Sequence, residues 1–219
     1  MVPLLCGNCG LPLEGDAESS LFVCSGCGLV HEPGQDVLGA FPAMSAAITT
    51  DLAASGDIHY LAVWRMRAPS WERIHRATSS GAGYLYVPAF TLVRPMVQRL
   101  GVSLCLTQPE LELTPGLLIS AVSRPSLVGA PEPQFESWPL GPGFGAVSPV
   151  VVSRQDAKVL AQFVYLAVES HETHDLHPAG GDLAVGGEEL VFIPAVWDPR
   201  YIHESNWRLL LSEFDDLVA

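Results

Sequence analysis

Cys6-Gly-Asn-Cys9-Gly10 and Cys24-Ser-Gly-Cys27-Gly28 decide how the start of this chain folds. Each is a Cys-x-x-Cys turn followed by glycine, and fourteen residues lie between the two. Two such turns can bring four sulfurs onto one ion, and four thiolates close a tetrahedron with no coordination position left open. The glycine after the second cysteine permits positive φ, which turns backbone N–H groups toward sulfur and spreads the thiolate charge. Leu11-Pro-Leu13 and Leu21-Phe-Val23 read as short strands around a polar turn from Glu14 to Ser20. The expected unit is therefore a small hairpin stapled by a metal, since so short a segment has too little core to fold alone.

The segment Cys24-Ser-Gly-Cys-Gly-Leu-Val-His31 resembles the second knuckle of the transcription factor IIB type zinc ribbon. The resemblance covers residues 6–31 and implies structural Zn2+ on Cys6, Cys9, Cys24 and Cys27. Nothing downstream looks like that factor's helical repeats. A looser likeness, to uncharacterised bacterial zinc-ribbon proteins, takes in the Trp64-Arg65 strand and the Val87-Pro-Ala-Phe90 segment and implies no activity. The thiols themselves leave two other readings open. Two disulfides would use the same cysteines, although paired knuckles in a reducing compartment favour metal. Iron, held as in rubredoxin, would make an electron carrier, although rubredoxin has a longer separation and an aromatic-rich core. A closed tetrathiolate zinc has no exchangeable water, so the reading leans away from an enzyme.

Composition narrows the function classes. Charged residues are 16 % of the 219, against roughly 25 % in an ordinary domain. The net charge is −13, from 24 acidic and 11 basic residues, and Lys158 is the one lysine. So acidic a chain repels nucleic-acid backbones and anionic lipid. Hydrophobic residues make up 48 %, and mean hydropathy is +0.28. Either a large β core absorbs them or a protein partner in a hetero-complex covers part of the surface. Met1-Val-Pro-Leu-Leu5 lacks the basic start and long apolar run of a signal peptide, and no stretch reaches the ~20 apolar residues of a membrane span. The expected location is the cytoplasm.

Patterning places the elements. A short helix is expected over 45–54. Ile58 to Arg67 reads as a strand, with Trp64 and Met66 facing one way and Arg65 and Arg67 the other. Tyr84 to Phe90 reads as a second strand, and Pro88 sends it to an edge because proline cannot donate to the ladder. Leu92 to Leu100 suits a helix stopped by Gly101, and Val102 to Leu106 a further strand. Residues 124–149 hold six prolines and four glycines and read as a linker or wrapping loop. Ser153 and Asp156 form a capping pair for an amphipathic helix over 154–169, with Ala157, Leu160, Ala161, Val164 and Val168 as its apolar face. Glu189 to Val196 returns as a strand, and Asn206 to Leu217 as a short helix. Tyr60-Leu-Ala-Val63 and Tyr165-Leu-Ala-Val168 each precede a proline-alanine strand, with 28 and 29 residues from Tyr to Pro. That echo raises a duplication.

Two further clusters could carry chemistry. His171, His174 and His177 are spaced for a second metal, or belong to a solvated loop at a helix end. Arg65, Arg67, Arg73 and Arg76, interleaved with Trp64 and Trp71, could dock an acidic partner, hold a nucleic acid, or line a solvated face. Cys105, in an apolar run, reads as a buried small hydrophobe.

The architecture expected is α+β: a zinc ribbon at 1–33, one α+β half at 34–123, the linker at 124–149 and a second half at 150–219. The function expected is a non-enzymatic zinc-ribbon subunit or assembly adaptor of a cytoplasmic protein complex. An electron-transfer accessory with iron in the same site and a transcription-related nucleic-acid module are the alternatives.

Overall fold

A computed structural model describes residues 4–13, 18–24, 26–34, 38–50, 58–68, 83–91, 94–115, 147–173, 183–197 and 207–214. Within them, β1 (Phe22–Val23), β2 (Leu29–Pro33) and β3 (Leu38–Pro42) form a three-stranded antiparallel sheet beside the cysteines. A larger mixed sheet holds β4 (Met44–Ala46), β5 (Ile58–Arg67), β6 (Tyr84–Pro88), β7 (Leu113–Pro115), β8 (Gly186–Trp197) and β9 (Trp207–Leu209). Helices α1 (Arg94–Thr107) and α2 (Arg154–Thr173) pack on β6 and on each other. The class is α+β.

Residues 190–196 of β8 are buried without a break. A strand with no polar face must be covered on both sides, and β8 sits in the middle of the sheet. β5 runs antiparallel along one edge of it, from Ile58↔Val196 to Arg67↔Gly186. Along the other edge β4 pairs in parallel at Val191 and Phe192, and β9 antiparallel at Ala195 to Trp197. Strands from 34–123 and from 150–219 thus interleave in one sheet. The Tyr-Leu-Ala-Val echo falls on unlike elements, strand β5 for Tyr60–Val63 and helix α2 for Tyr165–Val168.

β6 is an edge strand, as Pro88 requires. Its free side is closed by α1. The Gln108 amide accepts from the Tyr84 N–H (2.9 Å) and donates to the Tyr84 carbonyl (2.7 Å), and the Tyr86 N–H reaches the Cys105 sulfur at 3.3 Å. Covering an edge in this way removes a template for unwanted strand pairing. Burial pushes the Cys105 thiol up to about 12, so the sulfur serves as a neutral acceptor.

Several sequence-based expectations are corrected. Gly101 does not end a helix. It lies inside α1, and a Cβ there would come within 2.9 Å of the Tyr86 carbonyl oxygen and 3.2 Å of Val164 Cγ2. Glycine is required because helix and strand approach that closely, and Val102–Leu106 continues the helix instead of forming a strand. Leu100, Leu104 and Cys105 are buried at helical spacing. Of the helix expected over 45–54, the described residues form none: Met44–Ala46 is strand β4, because β8 offers it an open edge, and 51–54 lie outside the described residues. Trp207–Leu209 is strand β9, followed by a single tight turn, where a helix was expected. The hairpin expected between 11–13 and 21–23 is absent among the described residues: β1 pairs with β2 across the second knuckle, and Leu5 bridges Pro12 across the first.

The small sheet and the body share one core, which includes Leu21 and Val30 as well as Trp64, Tyr86 and Phe192. A strap at 147–152 joins them. Ser148 bonds the Tyr60 carbonyl and the Ala62 N–H, the Val151 N–H donates to the Ala89 carbonyl, and the Trp64 indole N–H donates to the Val152 carbonyl. From the other side Ser20 and Leu21 bond the Val150 carbonyl, and the Ser20 hydroxyl donates to the Val151 carbonyl.

Candidate metal centre

The two knuckles repeat one local geometry. In the first, the Gly10 N–H donates to the Cys6 carbonyl (2.9 Å) and the Cys6 N–H to the Leu11 carbonyl (2.8 Å). In the second, the Gly28 N–H donates to the Cys24 carbonyl and the Cys24 N–H to the Leu29 carbonyl, both at 2.8 Å. Gly10 and Gly28 have φ of 73° and 71°, the left-handed conformation that the sequence requires of them. Each knuckle is thus a turn that offers two sulfurs on one side.

The four sulfurs converge. All lie within 4.8 Å of one another, with Cys6 to Cys27 at 3.6 Å and Cys9 to Cys24 at 3.3 Å. A tetrahedron with metal–sulfur bonds of about 2.3 Å has edges of about 3.8 Å, so the donor set fits one ion such as zinc with separations changing by no more than about 1 Å. The five cysteines are free thiols, and none is disulfide-bonded. Cys6 and Cys24 are buried, Cys27 is half-buried and Cys9 faces solvent.

Electrostatics point the same way. Burial alone would raise the Cys6 thiol, but the Cys9 and Asn8 backbone N–H groups and the neighbouring thiols outweigh it and bring it down to about 6. Cys24 goes the other way, to about 12, pushed up by burial and by the Cys9 sulfur beside it. Thiolates packed this closely cannot all ionise together without a cation between them. A divalent ion held by Cys6, Cys9, Cys24 and Cys27 would remove the conflict, and binding it would release the remaining protons.

His31 completes the surroundings, and sequence reasoning gave it no role. It projects from β2, is 1 % exposed, and places Nε2 at 3.2 Å from the Cys6 sulfur. An Nε2–H there donates to the thiolate. Nδ1 is buried with no hydrogen-bond partner among the described residues. The next residue, Glu32, ties the same strand to the body. Its carboxylate accepts from the Arg154 N–H (3.2 Å) in the first turn of α2 and faces the Arg154 guanidinium at 3.8 Å. That guanidinium lies 4.3 Å over the Phe41 ring and 5.8 Å from Trp64. A histidine shortly after the last knuckle glycine was the available signal for His31. Arg154 and Glu32 carried none, because their pairing spans 122 residues.

Among the described residues, the other sequence-predicted site residues are not brought together with this one. Trp64 is fully buried, so it cannot form part of a docking surface. Arg65 is held by the Glu189 carboxylate and stacks 4.4 Å over Tyr84, which occupies it internally; Arg67 is exposed. Trp71, Arg73, Arg76, His174 and His177 lie outside the described residues. His171 falls in the last turn of α2. No helix among the described residues is long and apolar enough to cross a membrane. No family model, curated protein or solved structure matches the chain.

Proposed function

We propose that this chain is a non-enzymatic subunit or assembly adaptor of a protein complex, built around a structural zinc on Cys6, Cys9, Cys24 and Cys27. The observation that carries the reading is the convergence of four thiols within 4.8 Å beside a small sheet that shares its core with the body. Four thiolates fill the tetrahedron, so the ion has no position for substrate, and its contribution is to hold β1 and β2 in place. Leu4, Leu5 and Leu11 around the first knuckle are exposed, as are several apolar side chains elsewhere, which supports a role in contact with other proteins. Reduced thiols of this kind belong in a reducing compartment, which favours the cytoplasm.

Affinity purification of the native complex with metal analysis tests the proposal. One zinc per chain and a stoichiometric protein partner are expected. A well-behaved chain that recovers no other protein would sink it. Visible absorption of the purified protein separates zinc, which is colourless, from the iron of an electron-transfer accessory.

A further inference from the structure

Helix α2 shows an apolar stripe to water. Val159 is 50 % exposed, Phe163 64 % and Leu166 43 %. Their spacing of i, i+4 and i+7 puts them on one side of the helix, over about 10 Å of its length. The stripe is not the contact of α2 with its own sheet, because Ala157, Ala161, Val164 and Val168 on the opposite side fill the core. One turn beyond each end of the stripe stands an exposed polar residue, Asp156 toward the N-terminus and Ser170 toward the C-terminus. Exposed Gln155 and Gln162 line one margin. The two cations of the helix are turned to the body instead: Lys158 meets Glu188 at 3.0 Å, and Arg154 faces Glu32.

This order selects the occupant. Read outward from Phe163, the face runs apolar and then polar in both directions: Val159 and Asp156 one way, Leu166 and Ser170 the other. A two-fold axis near Phe163 therefore maps the pattern onto itself, which is what an isologous contact requires. An antiparallel copy would set Val159 against Leu166 and the Asp156 carboxylate against the Ser170 hydroxyl, an acceptor facing a donor, twice. The two Asp156 carboxylates would stand about 20 Å apart, farther than the Debye length of about 8 Å, so the face brings no unscreened like charges together. Among the described residues of α2, anionic lipid and nucleic acid find no free cation. We propose that this face of α2 pairs with the same face of a second copy, the helices antiparallel about a two-fold axis at Phe163. The pairing goes beyond the adaptor reading, which concerns other proteins. A helix of 20 residues is about 30 Å long and about 10 Å wide, so its face offers roughly 300 Å² per copy. That is below the ~800 Å² of a standard stable interface, and the dimer should be weak, dissociating in the micromolar range or above.

Sedimentation velocity of the full metal-loaded chain, from a few to several hundred micromolar, tests the pairing. A concentration-dependent dimer is expected. Phe163→Glu should weaken it at least about tenfold, and Leu166→Gln should weaken it too if the first variant folds poorly. Ser170→Lys should tighten it severalfold, because each new ammonium meets an Asp156 carboxylate of the other copy, and Asp156→Asn should cancel that gain. A monomer at every concentration overturns the proposal, as does a dimer untouched by both apolar-stripe variants. Ser170→Lys that fails to tighten the dimer refutes the antiparallel register. Loss of a different protein from the native complex with Phe163→Glu, in a chain that stays monomeric, assigns the face to that protein and also refutes the pairing. Recovery of a partner and formation of the dimer are separate readouts, so the adaptor reading and this one can fail independently.

Discussion

Replacing His31 with leucine should separate metal affinity from fold stability. In the metal-loaded protein the Nε2–H, 3.2 Å from the Cys6 sulfur, donates to a thiolate in a buried setting. A hydrogen bond to a charged group is worth about 1.5–3 kcal/mol. Losing it should weaken metal binding about 10- to 100-fold, in line with the effect of removing outer partners of metal ligands elsewhere. The metal-free fold responds differently. Leucine also removes Nδ1, which is buried without a partner among the described residues and costs about 1–3 kcal/mol to keep dry. The two changes offset each other below about pH 6, where the Cys6 thiol is neutral, so stability in chelator there should move by less than about 1 kcal/mol, or ~4 °C in Tm. Competition with a chromophoric chelator measures the affinity, and thermal unfolding in excess chelator measures the fold. His31→Gln, which keeps an N–H at a similar reach, should recover most of the affinity. The reasoning fails if the leucine variant binds metal within about twofold of wild type. It also fails if Tm in chelator drops as much as the affinity predicts, since His31 would then act through packing.

Chelation should expose Cys9 and Cys27 to a colorimetric thiol reagent in the folded protein, and the buried Cys6, Cys24 and Cys105 only after denaturation; five reactive thiols in chelator alone would contradict the placement of Cys105. Gly101→Ala should lower stability, since overpacking against the Tyr86 carbonyl costs about 1–3 kcal/mol while helix propensity returns about 1. Calorimetry should find Tm lower by up to about 8 °C, and a raised Tm would refute the close approach of α1 to β6. Burial alone would raise the Glu188 carboxyl, but the Lys158 ammonium and its own backbone N–H hold it below the ordinary 4.5. Because the ionised form is favoured in the fold, its contribution is complete above 4.5 and fades as pH falls through the lowered value. Lys158→Met should therefore cost less than about 1 kcal/mol at neutral pH, given the half-exposed ammonium, and the loss should vanish in acid. A variant equally destabilised at low pH would point to lost packing of the lysine stem.

The metal centre was legible because its information is local. A Cys-x-x-Cys turn and its left-handed glycine are set by five consecutive residues, so the two knuckles could be read without knowing what lies between them. The same holds for the Ser153 cap, where the Ser153 hydroxyl bonds the Asp156 N–H (3.1 Å) and carboxylate (2.8 Å), and for β5, whose burial alternates after Trp64 as its sequence does. Elements whose local preference is weak were decided elsewhere. Val102–Leu106 has the composition of a strand, yet it continues α1 because Leu104 and Cys105 gain burial there and Gly101 lets the helix sit against β6. Met44–Ala46 and Trp207–Leu209 become strands because β8 has an open edge for each.

By itself, then, the sequence determined the four candidate ligand cysteines, the turns that present them, the edge position of β6 and the core side of α2. Each rests on periodicity or on a backbone requirement contained within a few residues. Tertiary structure decided what surrounds those ligands: His31 against Cys6, Glu32 on the first turn of α2, and the 147–152 strap that seats the small sheet on the body. These contacts join residues 25 to 131 positions apart. No local propensity encodes them, because they arise from chain closure around a shared core. The outward stripe of α2 is intermediate in kind. Its spacing is written in the sequence, but folding chose which side of the helix would face water.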